Sequence, residues 1–197
     1  MITKTDKEAI TPYLTDSSGM KNSHAEIVYV PQNFAEAAQS LRSCSDGGLP
    51  VTISGAGTGT TGARLPFGGA VISTEKFNKI SGIDILRGMI SVQCGVRVFE
   101  IDDALSAHGY FYPPDPTEFN SFIGGNISTN ASGARSFKYG QSRAFVRRLK
   151  VALTDGRVID IPRGKYLADG RTFDFPFRFD APSYDTPDFK NAAGYYS

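Results

Sequence analysis

Residues 54–62 read Ser-Gly-Ala-Gly-Thr-Gly-Thr-Thr-Gly, an unbroken run of small side chains whose backbone N–H groups can turn toward one point. Such a run makes a nest for an anion. Residues 57–62 also satisfy the spacing GxGxxG, which in a nicotinamide-binding fold opens a helix whose N-terminus faces a diphosphate. Pro66, Gly68 and Gly69 follow almost at once and leave no room for that helix, or for a ribose-binding acid at its usual distance. A Walker loop is excluded because no Lys-Ser or Lys-Thr pair follows the glycines. Two readings remain: a loop that wraps a diphosphate with main-chain donors and the Thr58, Thr60 and Thr61 hydroxyls, or a Gly/Thr surface turn.

A second cluster occupies residues 113–140, PPDPTEFNSFIGGNISTNASGARSFKYG. Gly124 and Gly125 lack the Cβ atoms that would hold a flat ring away, and Asn126, Ser128, Thr129 and Asn130 can bond to ring edges and phosphate oxygens. A flavin makes that mixture of demands. The competing reading is a helix N-terminus with a polar, exposed face. Acid–base candidates are weak: Asp102 and Asp103 sit in a solvated helical setting, while His24 precedes a strand and His108 ends a helix, as surface or capping residues do. No catalytic residue is assigned. Cys44 and Cys94 lack metal-ligand spacing and are expected to be reduced and packed, with Cys94 in the core.

The chain of 197 residues carries 21 Lys plus Arg against 20 Asp plus Glu, a net charge of +1 that supplies no general field for nucleic acid or an anionic membrane. Its 21 glycines, about 11% against a usual value near 7%, with an ordinary 11 prolines, point to bare backbone rather than disorder. No run of eighteen apolar residues occurs and the start lacks a signal-peptide core, so a soluble, cytoplasmic protein is expected. Arg135, Lys138, Arg143, Arg147, Arg148 and Lys150 form the one basic cluster, read as a solvated strand face or as a contact for a further domain, a partner subunit or an electron acceptor.

The elements that must position these clusters follow from periodicity. Residues 26–30 (EIVYV) predict a strand, Asn33 and Glu36 have capping-box spacing, and Phe34, Ala37, Ala38 and Leu41 share a helix face closed by Gly47 and Gly48. Strands at 51–54 and 70–73 flank the glycine loop, and the helical crossover implies parallel strands. Beyond it, residues 80–86 and 89–94 pair across Arg87 and Gly88. Residues 145–153 likewise meet 157–161 across Asp155-Gly156. Between them Val98, Ile101, Leu105 and His108 share a helix face ended by Gly109. Phe173, Phe175, Phe177 and Phe179 alternate as in a strand, with Pro176 placing it at an edge or bulge. Two α/β lobes in one module are expected.

Taken together, SGAGTGTTG, PPDPxxxxxxIGGNISTNASGxxxxKYG and the LTDGRVI hairpin resemble the FAD-linked oxidase N-terminal domain of the vanillyl-alcohol oxidase (PCMH-type) flavoproteins, above all the glycolate oxidase flavin subunit and the D-lactate dehydrogenase group. DPTEFNS and STNASG are also similar to stretches of alkyldihydroxyacetonephosphate synthase. The resemblance runs from about Pro12 to the final KNAAGYY. It implies an α+β fold, a PCMH-type FAD-binding module with a small βαβ lobe over about residues 12–80 and a larger lobe with an antiparallel sheet over 81–197. Gly55, Ala56, Gly57, Thr58, Gly59 and Thr60 would lie on the FAD diphosphate, Asp115 and Ser121 along the dinucleotide, and Gly124, Gly125, Asn126, Ser128, Thr129 and Asn130 near the isoalloxazine, with adenine between the lobes.

The loop holds neither the His nor the Cys through which some relatives attach flavin, so non-covalent FAD is expected. Relatives continue past KNAAGYY into a GSEGTLG-like segment and a metal-binding substrate domain, so this sequence is expected to be an incomplete FAD module. The implied activity is dehydrogenation or oxidation of a 2-hydroxy acid of D-lactate or glycolate type. The alternative is a non-catalytic nucleotide-binding or assembly subunit of a multi-chain flavoprotein.

Overall fold

A computed structural model describes residues 1–169, 172–180 and 189 of the chain. The first unit is a four-stranded sheet of order β1-β2-β4-β3, built from β1 (Ile2–Lys4), β2 (Ile27–Val30), β3 (Val51–Ser54) and β4 (Ala70–Ser73). Strands β2 and β3 both run parallel to β4, so the expected parallel crossover is present. They are not neighbours, however, because β4 inserts between them. That central place explains its run of four buried residues, and makes the strand that follows the glycine loop the axis of the sheet. Strand β1, which periodicity did not reveal, adds antiparallel to β2. Helix α1 (Lys7–Ile10) and a 3-10 turn at Thr11–Tyr13 then place Ile10 and Tyr13 on Val28, Val30 and Val71.

Helix α2 (Phe34–Asp46) starts as its sequence dictates. Asn33 Oδ1 accepts from the Glu36 N–H at 2.9 Å, and the Glu36 carboxylate reaches back to the Gln32 N–H at 2.8 Å. One N–H of the first turn and the N–H just before the cap are thereby satisfied.

The second unit opens with the hairpin of β5 (Ile80–Asp84) and β6 (Met89–Val92). Asp84 Oδ1 accepts from the Arg87 N–H at its turn. Helix α3 (Val98–Ser106) buries Val98, Ile101 and Leu105 as predicted, whereas His108 falls in the exposed turn after it. Helices α4 (Ile123–Thr129), α5 (Ser136–Tyr139) and α6 (Ser142–Phe145) follow. Val96, Ile101, Leu105 and Ile123 form the second core, flanked by Ile80, Ile83, Ile90, Val92 and Tyr112.

Strands β7 (Arg148–Ala152) and β8 (Val158–Pro162) make the Asp155-Gly156 hairpin. It starts three residues later than expected because residues 142–145 are taken by α6. Its tip touches the first unit: a Cβ on Gly156 would stand 2.9 Å from the Ala38 carbonyl oxygen. The Lys150 ammonium also lies 4.9 Å from the centre of the Phe34 ring. The antiparallel pairing of this half is thus divided among separate hairpins.

The phenylalanine run is not one strand. Among the described residues it divides into β10 (Thr172–Asp174) and β11 (Arg178–Asp180), with Pro176 in the turn between them, and β10 also pairs with β9 (Ala168–Asp169). Proline cannot donate to a ladder and broke the alternation. Phe173 and Phe175 stack with centroids 5.7 Å apart.

The central position of β4 sets a stability expectation. Val71→Ala, at a fully buried site, is expected to cost about 2 kcal/mol in chemical denaturation. Ile53→Ala, on a strand residue 49% exposed, is expected to cost less than about 1 kcal/mol.

Candidate cofactor-binding site

The glycine loop leaves the sheet from a fixed point. Ser54 is fully buried, and its carbonyl oxygen accepts from both the Thr74 N–H at 2.9 Å and the Thr74 hydroxyl at 3.1 Å. From there residues 55–69 run to β4 with no helix, which removes the nicotinamide reading of GxGxxG. Among the described residues, no main-chain N–H of residues 55–64 and no hydroxyl of Thr58, Thr60 or Thr61 makes a hydrogen bond. Gly55, Ala56, Gly57 and Thr58 are half-buried, while Gly59, Thr60 and Thr61 are exposed. A half-buried stretch of unpaired N–H groups is unusual in a folded chain, where such donors are nearly always satisfied.

The loop is braced by the strap at residues 12–20 and by Arg64. The Ser17 N–H donates to the Gly57 carbonyl at 3.1 Å, the Met20 thioether packs on Gly62, and the Arg64 guanidinium folds back over Gly57. Gly57 has φ +81°, and a Cβ there would run into the Arg64 guanidinium. Arg64 Nη2 in turn donates to the Pro12 carbonyl at 2.7 Å. Arg64 and the strap at residues 12–20 were not among the sequence-predicted site residues. The available signal was that Arg64 is the one charged side chain between residues 51 and 74.

The two clusters meet at Phe122, where a Cβ on Gly55 would lie 3.9 Å from the ring. Phe122 also lines a cavity of about 120 Å³ with Glu75, Asn78, Gly95, Arg97 and Glu100. Behind it the second cluster is indeed a helix start, α4. Gly124 donates its N–H to the Cys94 carbonyl at 2.9 Å and lies so close that a Cβ would stand 2.7 Å from Cys94 Cβ. The neighbouring Gly125 is exposed, and its missing Cβ faces open space. Cys94 corrects an expectation: β6 ends at Val92, so the residue lies past the strand and is exposed rather than in the core, although its surroundings still push the thiol pKa up by burial.

Most polar side chains of the second cluster are committed to the protein. Buried Ser121 donates to the Glu118 carbonyl at 2.6 Å and accepts from Asn126 Nδ2 at 2.9 Å. Ser128 and Thr129 hydroxyls turn back to the carbonyls of Gly124 and Gly125 at 2.8 and 2.9 Å. Asn130, fully buried with φ 56°, donates to Gln141 Oε1 at 2.6 Å and accepts from the Arg143 N–H at 3.1 Å. Asp115 donates its N–H to the Ser132 carbonyl at 2.9 Å, and its carboxylate lies 3.4 Å from Arg135 Nε. These residues build a rigid shelf, and what they leave uncovered is the backbone at Gly125. Asp102, read as a solvated helix acid, accepts the Tyr112 N–H at 2.8 Å and so ties the 112–115 segment to α3. Of the basic cluster, Arg148 pairs with Asp160 and Arg135 with Asp115.

FAD fits these residues on their own geometry. Its diphosphate needs hydrogen-bond donors, and the N–H groups of residues 55–64 are unpaired, with no carboxylate among residues 51–74. Its ring needs a face without Cβ atoms, which Gly125, open to space, would supply close to Phe122. A helix-free glycine loop between parallel strands, joined to a shelf of antiparallel hairpins and short helices, defines a PCMH-type flavin-binding module. Residues 25–162 match the FAD binding domain family. The chain belongs to that family, and FAD is the cofactor it takes.

The relatives agree. D-lactate dehydrogenase of Anaerostipes hadrus is 37% identical over 137 residues, 69% of this chain and 29% of that protein. The glycolate oxidase subunit GlcD of Bacillus subtilis is 36% identical over 149 residues, 75% of this chain and 32% of that protein. The chain therefore spans about a third of the length of the relatives it matches. Among solved structures, alkyldihydroxyacetonephosphate synthase superposes with a TM-score of 0.73 at 21% identity, over 82% of this chain and 35% of its own. For 6-hydroxy-D-nicotine oxidase of Arthrobacter nicotinovorans the TM-score is 0.74 at 17% identity, over 83% and 36%. At those identities the likeness is one of fold. Among the described residues, no helix is long and apolar enough to cross a membrane, and no cluster of His, Cys, Asp and Glu could hold a metal ion.

Two adjacent glycines allow packing and ligand contact to be tested apart. Gly124→Ala is expected to destabilise the fold by about 1 to 3 kcal/mol through its clash with Cys94. Gly125→Ala is expected to leave thermal stability unchanged or raise it by about 0.5 kcal/mol, while weakening FAD in a fluorescence titration. A second expectation concerns alkaline pH. Burial pushes the Tyr112 phenol up to about 12 from an ordinary 10.0, with a Ser142 hydrogen bond acting the other way. The folded state therefore keeps a proton that the unfolded chain loses near pH 10. Stability should be flat in this respect below that pH and fall above it, by at most about 1.4 kcal/mol per pH unit. Tyr112→Phe should flatten that limb of the denaturation curve.

Proposed function

We propose that this chain is the FAD-binding part of a flavin-dependent dehydrogenase or oxidase acting on a 2-hydroxy acid of the D-lactate or glycolate type. The observation that carries the proposal is the set of unpaired N–H groups at residues 55–64, next to a shelf with a Cβ-free face at Gly125. When bound, FAD supplies the hydride-accepting chemistry at C2 of the acid. The part of this chain is to bind and orient. Residues 55–60 hold the diphosphate by main-chain donors, the shelf built by Ser121, Asn126 and Asn130 fixes α4, and α4 offers Gly125 to the ring. Neither the loop at residues 54–62 nor the segment at residues 113–145 contains a His or a Cys, which supports non-covalent attachment.

In this reading residues 12–80 form the small lobe, residues from 81 onward the larger one, and adenine lies between them. The base that takes the hydroxyl proton and the substrate contacts belong to the remaining length that the relatives possess. A partner subunit or electron acceptor is consistent with the GlcD relative being named a subunit.

The test is spectroscopic. The purified protein should carry a flavin band near about 450 nm that is released by acid denaturation without covalent residue. With the rest of the protein present, anaerobic D-lactate or glycolate should bleach that band. A colourless protein that takes up no FAD would overturn the reading. Bound FAD that neither acid bleaches would favour a non-catalytic nucleotide-binding or assembly subunit.

A further inference from the structure

The least compensated charge near the loop is Arg64. Its guanidinium lies against the Gly57 main chain, Nη2 donates to the Pro12 carbonyl, and Nε is buried with no partner. No carboxylate pairs with it among the described residues. Asp16 is within electrostatic reach, but its Oδ1 is taken by the Ser18 N–H at 2.9 Å and the Ser18 hydroxyl at 2.5 Å, and its Oδ2 is itself buried without a partner. Burial, the largest influence on Arg64, depresses its pKa, and the more distant charges of Asp16, Tyr13 and Glu75 only partly offset this. A guanidinium stays ionised in such a place, so the fold carries a half-buried cation whose one hydrogen bond is to a neutral carbonyl. Leaving such a charge without a counter-ion is costly, and an anion brought into contact would relieve the cost.

We propose that Arg64 supplies the counter-charge for the FAD diphosphate held by the 55–61 loop, acting together with the unpaired N–H groups that alone carry only partial charge. The inference rests on the reading of that loop as the diphosphate site. Charge-assisted bonds to phosphate are about twice as strong as neutral ones, and a guanidinium matches two phosphate oxygens at once. The competing role is that of a clamp, in which Arg64 matters only because it ties the loop to Pro12.

Calorimetric titration with FAD and with ADP, which shares the diphosphate, separates these roles when combined with the melting temperature of the ligand-free protein. Arg64→Met is expected to weaken both ligands by about tenfold or more while leaving the ligand-free melting temperature unchanged or higher, since an uncompensated charge is removed. Arg64→Lys should bring both affinities back to within about threefold of the original. The inference is overturned if Arg64→Met binds FAD and ADP as the parent does. It is equally overturned if Met and Lys variants lose affinity alike and both melt earlier, which is the behaviour of a clamp. A parent protein that binds neither dinucleotide nor ADP would instead contradict the reading of the loop itself.

Discussion

Main-chain donors that the fold cannot satisfy are the constraint around which this protein is organised. Strands β3 and β4 are parallel neighbours, so the chain between them must travel from the end of one to the start of the other. Most connections of this type do so through a helix, which satisfies its own backbone. Here residues 55–69 make the return without one, and the N–H groups of 55–64 donate to no acceptor among the described residues. Small side chains line that array, and the strap at residues 12–20 is tied to it through Ser17, Met20 and Arg64. The strap is anchored by burial of Ile10 and Tyr13 on the sheet and by a Ser23 hydroxyl bond to the Leu14 carbonyl.

The second half answers a different requirement, stiffness. Its polar residues look like ligand contacts in the sequence, yet Ser121, Asn126 and Asn130 are buried and bond to the backbone, to one another (Asn126 to Ser121) and to Gln141. The Ser132 hydroxyl donates to the Asn130 carbonyl and accepts the Ser142 N–H, which stitches the turn after α4 to α6. A flat ring binds well only to a surface that does not have to be ordered on arrival, and a buried network of this kind supplies one. In the proposed reading the contribution of these residues to FAD would chiefly be to hold α4 and its Gly125 in place.

Much of this was legible in the sequence where one local rule dominated. The Asn33–Glu36 cap, both two-stranded hairpins and the buried face of α3 follow from capping, turn and period-3.6 signals, and the structure contains each of them. The lack of a helix after the glycine loop was legible for the same reason: Pro66, Gly68 and Gly69 forbid the helix that its spacing would otherwise open. What could not be read depended on tertiary placement. Nothing local says that β4 lies between β2 and β3, that Cys94 falls beyond the end of its strand, or that Pro176 turns the phenylalanine run into a hairpin. Arg64 was missed because a single cation among small residues has no period or spacing, and only its return to Gly57 gives it meaning. Gly124 and Gly125 look identical in the sequence and differ only in whether a neighbouring backbone stands against them.

Amide hydrogen exchange, followed residue by residue without and with FAD, addresses the loop most directly. Residues 55–62 should exchange rapidly in the ligand-free protein, since their N–H groups have no acceptor, and should become strongly protected on FAD binding while α2 and β4 change little. If FAD binds and those amides continue to exchange at their ligand-free rate, the diphosphate lies elsewhere and the glycine loop is not its cradle.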